Sequence, residues 1–443
     1  RPGEQGEEMS KTYEVRVVST QKKYSREFQV KNEFEDGWKS VLQRAHGTPV
    51  VCLCPGKGNR YLSVKHREGS DNYHLARYAN TGPEHANDCR FHAHAPERSG
   101  LQGYAEGVVE EADDNTLRIR LAHGLRVKEA SPAADDVADV PRTPGVKKPS
   151  IRLLGLLQLL WLEAGLANWY PLMEGKRTPA NVAYWVSEAA KRIRASRMTV
   201  FDVLLMSAKK NSRMAKRNAE VVELAQEHSR RLIAVSPLAS FNSERRNLLT
   251  LSVSGPFGMP TMDIRAEVRR RVERSFASEL VAWESGHEVI AIAQLNLKKG
   301  RYADVLDLAL MRVSDRMIPL DSGYEATIEE KLHAEGRAFF KPPRFEAEDE
   351  IFPDFWLLDM GRDTQYPLEV FGMNTPTYQS RRQRKIRWYN GQFGSAGWWH
   401  WDAFIDTKGE GIPGFPERTI DYRSRENEET AGEDVPESVA DTE

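Results

Sequence analysis

All three cysteines of this 443-residue chain, and six of its eleven histidines, fall between His46 and His94. Nothing else in the sequence restricts the fold as strongly, because a shared metal site forces distant segments together. The order is Cys52-x-Cys54, His74, His85-x-x-x-Cys89, His92 and His94. Zinc takes four soft or borderline ligands in a tetrahedron. Two close pairs about thirty residues apart supply four, each from a turn or short helix. The set Cys52, Cys54, His85 and Cys89 is expected to hold one structural Zn2+, with His92 and His74 as substitutes. Four protein ligands leave no open position for chemistry. The rival reading makes the cysteines small buried residues astride a strand and the histidines decoration on a polar loop. Chance clustering of such scarce residue types favours it poorly.

Three cysteines are too few for a disulfide framework, which predicts a reducing, cytoplasmic setting. The longest apolar run, Leu153 to Leu162, is broken by Gln158 and followed by Glu163, so it reads as a buried helix and no membrane partner is expected. The formal charge of -2 hides an asymmetry: Glu426 to Glu443 holds eight acidic residues and no Lys or Arg, and removing it leaves +6. A basic body suits nucleic acid, and DNA is the expected partner.

The fold class expected is mixed α/β with several domains. Residues 9–125 read as β-rich: Tyr13 to Val17 and Leu117 to Leu121 alternate with the period of half-buried strands. Residues 126–149 read as a linker rich in Pro, Ala and Asp. Residues 150–235 read as helical, a surface for a protein partner. One helix carries the stripe Leu153, Leu156, Leu157, Leu160 and Trp161, and another runs from Pro179 to Ile193. Residues 236–418 read as an α/β core and residues 419–443 as a disordered acidic tail. Within the core an Arg-rich helix covers Ile264 to Trp283. Strands are expected over Val289 to Lys298, Ala303 to Val313, Ile351 to Met360 and Tyr366 to Met373. Helices are expected over Tyr324 to Phe339 and from Thr375-Pro376 to Tyr389.

Four features of the core fall in order: Glu325 at a helix start, Pro353-Asp354, Glu369-Val370-Phe371, and a helix whose Tyr378, Arg382, Lys385 and Tyr389 share one face. If Gly361-Arg362 makes a two-residue turn, counting back places Asp354 opposite Glu369 on one side of the sheet. Facing carboxylates repel and are best tolerated around a cation. Mg2+ accepts one or two carboxylates plus water and phosphate oxygens. Glu325 is a candidate third acidic group. The plainer alternative leaves Asp354 and Glu369 as solvated strand residues and Glu325 as a charge favoured by the helix dipole.

Residues 288 to 405 resemble the PD-(D/E)xK nuclease superfamily, the restriction-endonuclease-like fold. The resemblance implies that Asp354 and Glu369 hold a catalytic Mg2+ or Mn2+ and that Glu325 matches the helix glutamate. At the motif's lysine position this chain has Phe371. Lys385 on the next helix is the candidate replacement, ahead of Arg382. The whole chain also resembles the bacterial domain-of-unknown-function family eleven seventy-three, carried on plasmids and genomic islands. The residues that carry this are Cys52-Leu-Cys54, Thr81-Gly82-Pro83-Glu84-His85 with Cys89, Lys341-Pro342-Pro343-Arg344-Phe345, Pro353-Asp354-Phe355 and Glu369-Val370-Phe371-Gly372. That resemblance implies a mobile-element setting.

Basic runs at Lys209, Lys210, Arg213, Lys216 and Arg217 and at Arg265, Arg269, Arg270, Arg271 and Arg274 read as solvated helix faces or phosphate contacts. Trp398, Trp399 and Trp401 read as core. No Walker glycine loop and no nucleophile elbow are present, which argues against an ATPase or a serine hydrolase. The expected function is a metal-dependent nuclease acting on DNA, with a zinc-stabilised N-terminal module. The alternative is a nucleic-acid-binding or assembly protein that keeps the fold without catalysis.

Overall fold

A computed structural model describes residues 11–67, 72–101, 104, 108–112, 116–127, 149–244, 248–298, 300–345, 351–361 and 364–422. Most of the linker expected at 126–149, and the acidic tail from 423 onward, lie outside the described residues. The fold is mixed α/β. No helix among the described residues is long and apolar enough to cross a membrane.

The N-terminal region builds one antiparallel sheet. Its strands are β1 (Val15–Val17), β2 (Lys23–Tyr24), β3 (Val50–Cys52), β4 (Tyr61–Arg67) and β5 (Asn72–Arg77), in the order β2-β1-β3-β4-β5. Helices α1 (Arg26–Val30) and α2 (Glu35–Ala45) follow β2. Val41, Leu42 and Ala45 of α2 pack with Val15, Val17, Val50 and Leu62 in a small core that also contains the three cysteines. After the last cysteine the chain runs through α3 (Pro96–Ser99) toward the rest of the molecule. His94 stacks on Phe340 with ring centres 3.7 Å apart, and Arg98 lies over Trp356.

The central region is less helical than its sequence suggests. Strands β6 (Val109–Glu111) and β7 (Leu117–Ile119) precede α4 (Leu153–Glu163), β8 (Asn168–Trp169), α5 (Pro179–Ala190), β9 (Ile193–Ala195), β10 (Met198–Thr199) and β11 (Leu204–Met206). Then come α6 (Arg213–Glu227), β12 (Leu232–Pro237), β13 (Thr261–Ile264), α7 (Ala266–Ser275), α8 (Ala277–Glu284), β14 (Val289–Leu297) and β15 (Tyr302–Arg312). The expected helices at 153 and 179 are present, but β8 lies between them and β9 to β12 follow. Those strands are two to six residues long, too short for alternation to show. β7 pairs with β9 in the sheet β10-β9-β7-β6, so the strand at Leu117 belongs here rather than with the cysteines. The helix expected over 264–283 breaks at Phe276, whose backbone leaves the helical region while its ring packs against the central core.

A second correction concerns β14 and β15. They were expected in one core with the carboxylates, but they join β11, β12 and β13 in a separate sheet, order β11-β12-β14-β15-β13. β14 is buried along most of its length between α4 and α8. The carboxylates sit on another sheet, made of β16 (Phe339–Phe340), β17 (Phe355–Leu357), β18 (Tyr366–Val370) and β19 (Trp399–Trp401), with β8 at its far edge: order β19-β18-β17-β16-β8. Helix α9 (Gly323–Ala334) precedes β16, and α10 (Pro376–Phe393) lies between β18 and its parallel neighbour β19. Thr375 caps α10 by accepting the Tyr378 N–H, and Pro376 occupies its first turn. Trp398, Trp399 and Trp401 are buried, as expected of core residues.

Candidate functional site

Two groups of polar side chains converge. The first is the cysteine cluster. Cys52 ends β3, Cys54 follows it, and His85 and Cys89 come from the turns after β5. Gly56 permits the approach of the two segments: a Cβ there would lie 2.2 Å from the Glu84 carbonyl oxygen. All four side chains are buried, and one ligand atom from each lies within 4.8 Å of every other. Cys52 Sγ is 3.7 Å from Cys89 Sγ, and His85 Nδ1 is 3.6 Å from Cys54 Sγ and 3.7 Å from Cys89 Sγ. Tetrahedral zinc, with bonds of about 2.3 Å to sulfur and about 2.0–2.1 Å to nitrogen, requires S···S edges of about 3.8 Å and S···N edges of about 3.6 Å. The observed spacings match those edges.

The cluster has the donor set and size to hold a metal such as zinc. Contact with Cys52, then Cys89, holds the Cys54 thiol far below its ordinary range; contact with Cys52 pushes Cys89 far above it. Contact with Cys54 pushes Cys52 up to about 12. The substitutes His92 and His74 are outside the set: His92 packs edge-on to His94, and His74 faces Lys65 across β4 and β5.

The second group surrounds a cavity of about 390 Å³ at one end of the β17–β18 hairpin. Phe355 pairs with Leu368 at the end of the ladder, and the Asp354 N–H donates to the Leu368 carbonyl one residue out of that register, so Asp354 lies beside Glu369 in the cavity rather than strictly opposite it. The turn residues at 362 and 363 lie outside the described residues. Asp354, Glu369 and Glu325 are 1%, 2% and 4% exposed, so they are not solvated strand residues. Glu325 does keep a helix-terminal role: its amide is capped by Ser322, and its carboxylate accepts the Asp321 N–H at 2.9 Å.

Lys385 reaches the same cavity from α10 and donates to Glu369 Oε1 at 2.6 Å, while the Tyr389 hydroxyl donates to Oε2 at 2.9 Å. Arg382 points elsewhere, forming two hydrogen bonds of 2.7 and 2.6 Å with Asp402, its guanidinium above the Phe371 ring. Phe371 is fully buried against Tyr389 and Trp398.

Sequence reasoning missed two cations and one acid. Lys341 is buried and pairs with Asp321 at 2.9 Å and Glu325 at 3.2 Å. Arg344 bonds to Asp354 Oδ1, lies 3.4 Å from Asp321 and 3.8 Å from Glu325. Burial alone would lower Lys341, but Asp321 and Glu325 outweigh it and raise it above the usual lysine range. Asp354 foremost raises Arg344. The signal available was Lys341-Pro342-Pro343-Arg344, where two prolines stiffen a short loop carrying both cations. All four oxygens of Asp354 and Glu369 have partners, since the Val370 N–H donates to Asp354 Oδ2 at 2.6 Å. A divalent cation between them requires Arg344, whose side chain is 43% exposed, to swing aside.

The two expected basic runs are partly consumed within the fold. Arg265 and Arg271 pair with Asp304 and Asp307, and Arg217 caps the Phe201 and Leu204 carbonyls. No curated protein and no solved structure matches the chain. The family described as "Protein of unknown function (DUF1173)" matches residues 26–403, which is most of the chain, and the protein belongs to that family.

Proposed function

We propose that the cavity is a metal-dependent phosphodiesterase site that cuts nucleic acid, DNA in the first instance, and that the cysteine cluster holds a structural Zn2+. The observation that carries the nuclease reading is the meeting of Asp354, Glu369 and Lys385 in one cavity, from the two sides of one hairpin and the next helix. Their order along the chain, with Glu325 on the preceding helix, is the order that the PD-(D/E)xK resemblance implies.

Asp354 and Glu369 would hold Mg2+ or Mn2+, which lowers the pKa of a bound water and steadies charge on the attacked phosphate. The chain's own residues do the rest. Lys385 keeps a fixed positive charge beside Glu369, where it can orient water or meet developing negative charge. Tyr389 fixes the second oxygen of Glu369, so that carboxylate keeps one orientation. Arg344, displaced from Asp354, becomes a two-pronged donor for a phosphate oxygen. Lys341, buried between Asp321 and Glu325, stabilises the acidic floor that results.

Incubation of the full chain with single- and double-stranded DNA and RNA in Mg2+ or Mn2+ tests this. Cleavage is expected, and Asp354→Asn is expected to abolish it while leaving binding intact. Two observations favour a second reading, a binding or assembly protein of a mobile element: Phe371 replaces the motif lysine, and Arg344 already neutralises Asp354. Wild-type protein that binds nucleic acid but cuts none with any common divalent ion would establish that reading instead.

A further inference from the structure

The cavity has two unlike sides. Asp354, Glu369, Lys385 and Arg344 form a charged floor, and Tyr324, Phe345, Phe352 and Tyr378 supply an aromatic wall. Its volume of about 390 Å³ is near the lower end of the roughly 300–1,000 Å³ typical of small-molecule sites. That is room for one unit of a chain, not for a base pair. The wall is closed in part by the segment after the cysteine cluster: a Cβ on Gly100 would sit 2.8 Å from the Pro343 carbonyl oxygen.

The cavity also has a continuation. From Thr375 to Trp401 the sequence holds five cations and no Asp or Glu. Arg381, Arg384, Lys385 and Trp388 are spaced three, one and three residues apart, so they share one face of α10. Arg381 and Arg384 are exposed at the cavity and have no acidic partner among the described residues, unlike Arg265 just before α7 and Arg271 within it, which pair with Asp304 and Asp307. Trp388 is 38% exposed one turn further on. An aromatic cavity at one end, two free guanidinium groups beside it and an exposed indole beyond fit a flexible polyanion with flat, stackable side groups.

We propose that the cavity and this face of α10 bind single-stranded nucleic acid. One unpaired base lies against Tyr324, Phe352 and Tyr378, its flanking phosphates lie on Arg381 and Arg384, and a neighbouring base stacks on Trp388. This deepens the nuclease reading of the same site and rests on it for the cut. A duplex laid on α10 cannot fill the aromatic wall without flipping a nucleotide out of its stack, which costs it affinity.

The test uses the full chain and three fluorescein-labelled probes: a 20-nucleotide DNA strand, the same sequence as RNA, and the blunt DNA duplex. Anisotropy is followed in Ca2+ at several salt concentrations. At least one single strand is expected to bind about tenfold tighter than the duplex. Trp388→Ala should weaken single-strand binding about tenfold, with Trp388→Phe restoring most of it. The double variant Arg381→Gln, Arg384→Gln should flatten the slope of log affinity against log salt by about 1.4, from two lost phosphate contacts on a single strand. Circular dichroism melting confirms that the variants fold. A duplex bound as tightly and cut as fast as either single strand overturns this inference and leaves the catalytic reading standing. Single-strand binding without cleavage in any divalent ion upholds this inference and overturns the catalytic one. Binding of none of the probes overturns both.

Discussion

The cysteine cluster and the carboxylate cavity both bury a set of convergent polar groups, yet they settle their charge in opposite ways. Cys52, Cys54, His85 and Cys89 are spaced to hold a metal such as zinc, which would balance the charge of their thiolates. Around the cavity, Asp321, Glu325, Asp354 and Glu369 face Lys341, Arg344 and Lys385, so the chain supplies most of its own counter-charge. A site that needs its ion to fold is specified by geometry. A site that must admit a substrate and an ion can be held by cations that give way. The first is buried throughout; the second keeps an exposed arginine over its acid.

The largest effect expected from that contrast is on the cysteine cluster. Zinc binding to small structural sites is worth roughly 10–16 kcal/mol in apparent terms and is coupled to folding. Purified protein should contain about one Zn2+ per chain, and Cys89→Ser should lose it. A strong chelator should open the N-terminal sheet to proteolysis before the central sheet. His92→Ala and His74→Ala should both keep the metal, as neither side chain belongs to the ligand set. Zinc-free protein with an intact N-terminal region would remove the contrast.

The next effect falls on the cavity. Lys385→Ala removes a cation that hydrogen-bonds Glu369. If it meets charge in the transition state, the rate should drop about a hundredfold, with binding changed far less. Wild-type turnover in this variant would assign the 2.6 Å contact to structure alone.

What could be read beforehand follows the range over which each signal acts. The cysteine cluster was legible because scarce residue types recur at short, fixed spacings. The nearness of Asp354 and Glu369 was legible because two strands of one hairpin carry them, though not their exact register, and Lys385 because a helix obeys 3.6. The sheet holding β14 and β15 was not legible. β14 pairs with β12 more than fifty residues earlier in the chain, and nothing local marks that partner. Lys341, Arg344 and Asp321 escaped for a different reason. They are common residue types on loops, with no period to set them apart from solvated charge.

A smaller effect sharpens the idea of a cation that gives way. Arg344 takes an oxygen of Asp354 that a metal held there would need. Arg344→Gln should therefore raise Mn2+ affinity in the absence of substrate, by about tenfold if roughly 1.4 kcal/mol of competition is removed. The same variant should weaken binding of a phosphate-bearing oligonucleotide, because a two-pronged donor is lost. Titration calorimetry separates the two. Unchanged Mn2+ affinity would place Arg344 in packing rather than at the gate.

The smallest effect is one of sign, and it divides the two regions by pH. Burial, and then the neighbouring Asp354 carboxylate, push Glu369 up from an ordinary 4.5 to about 7. Burial raises Glu325 to about 7 as well, against the pull of Lys341, with Asp321 and Asp354 adding to the rise. Between about 4.5 and about 7 the folded chain therefore holds protons on these groups that the unfolded chain has released. Stability contributed by the cavity is present below the unfolded value and is lost as pH climbs through that window. Zinc acts in the other direction, since thiolates must form before the metal binds, so metal-linked stability grows with pH. Glu369→Gln should accordingly gain melting temperature over wild type at pH 8 and gain little at pH 4.5, while zinc released to a chromogenic chelator should rise in both proteins as pH falls. The gain at pH 8 is bounded by Lys385, which loses its partner in the variant and keeps part of the benefit from appearing. A Glu369→Gln protein that is less stable than wild type at pH 8 and equal to it at pH 4.5 would show that the Lys385 pair outweighs burial, and that the cavity is held together by its charges in spite of them.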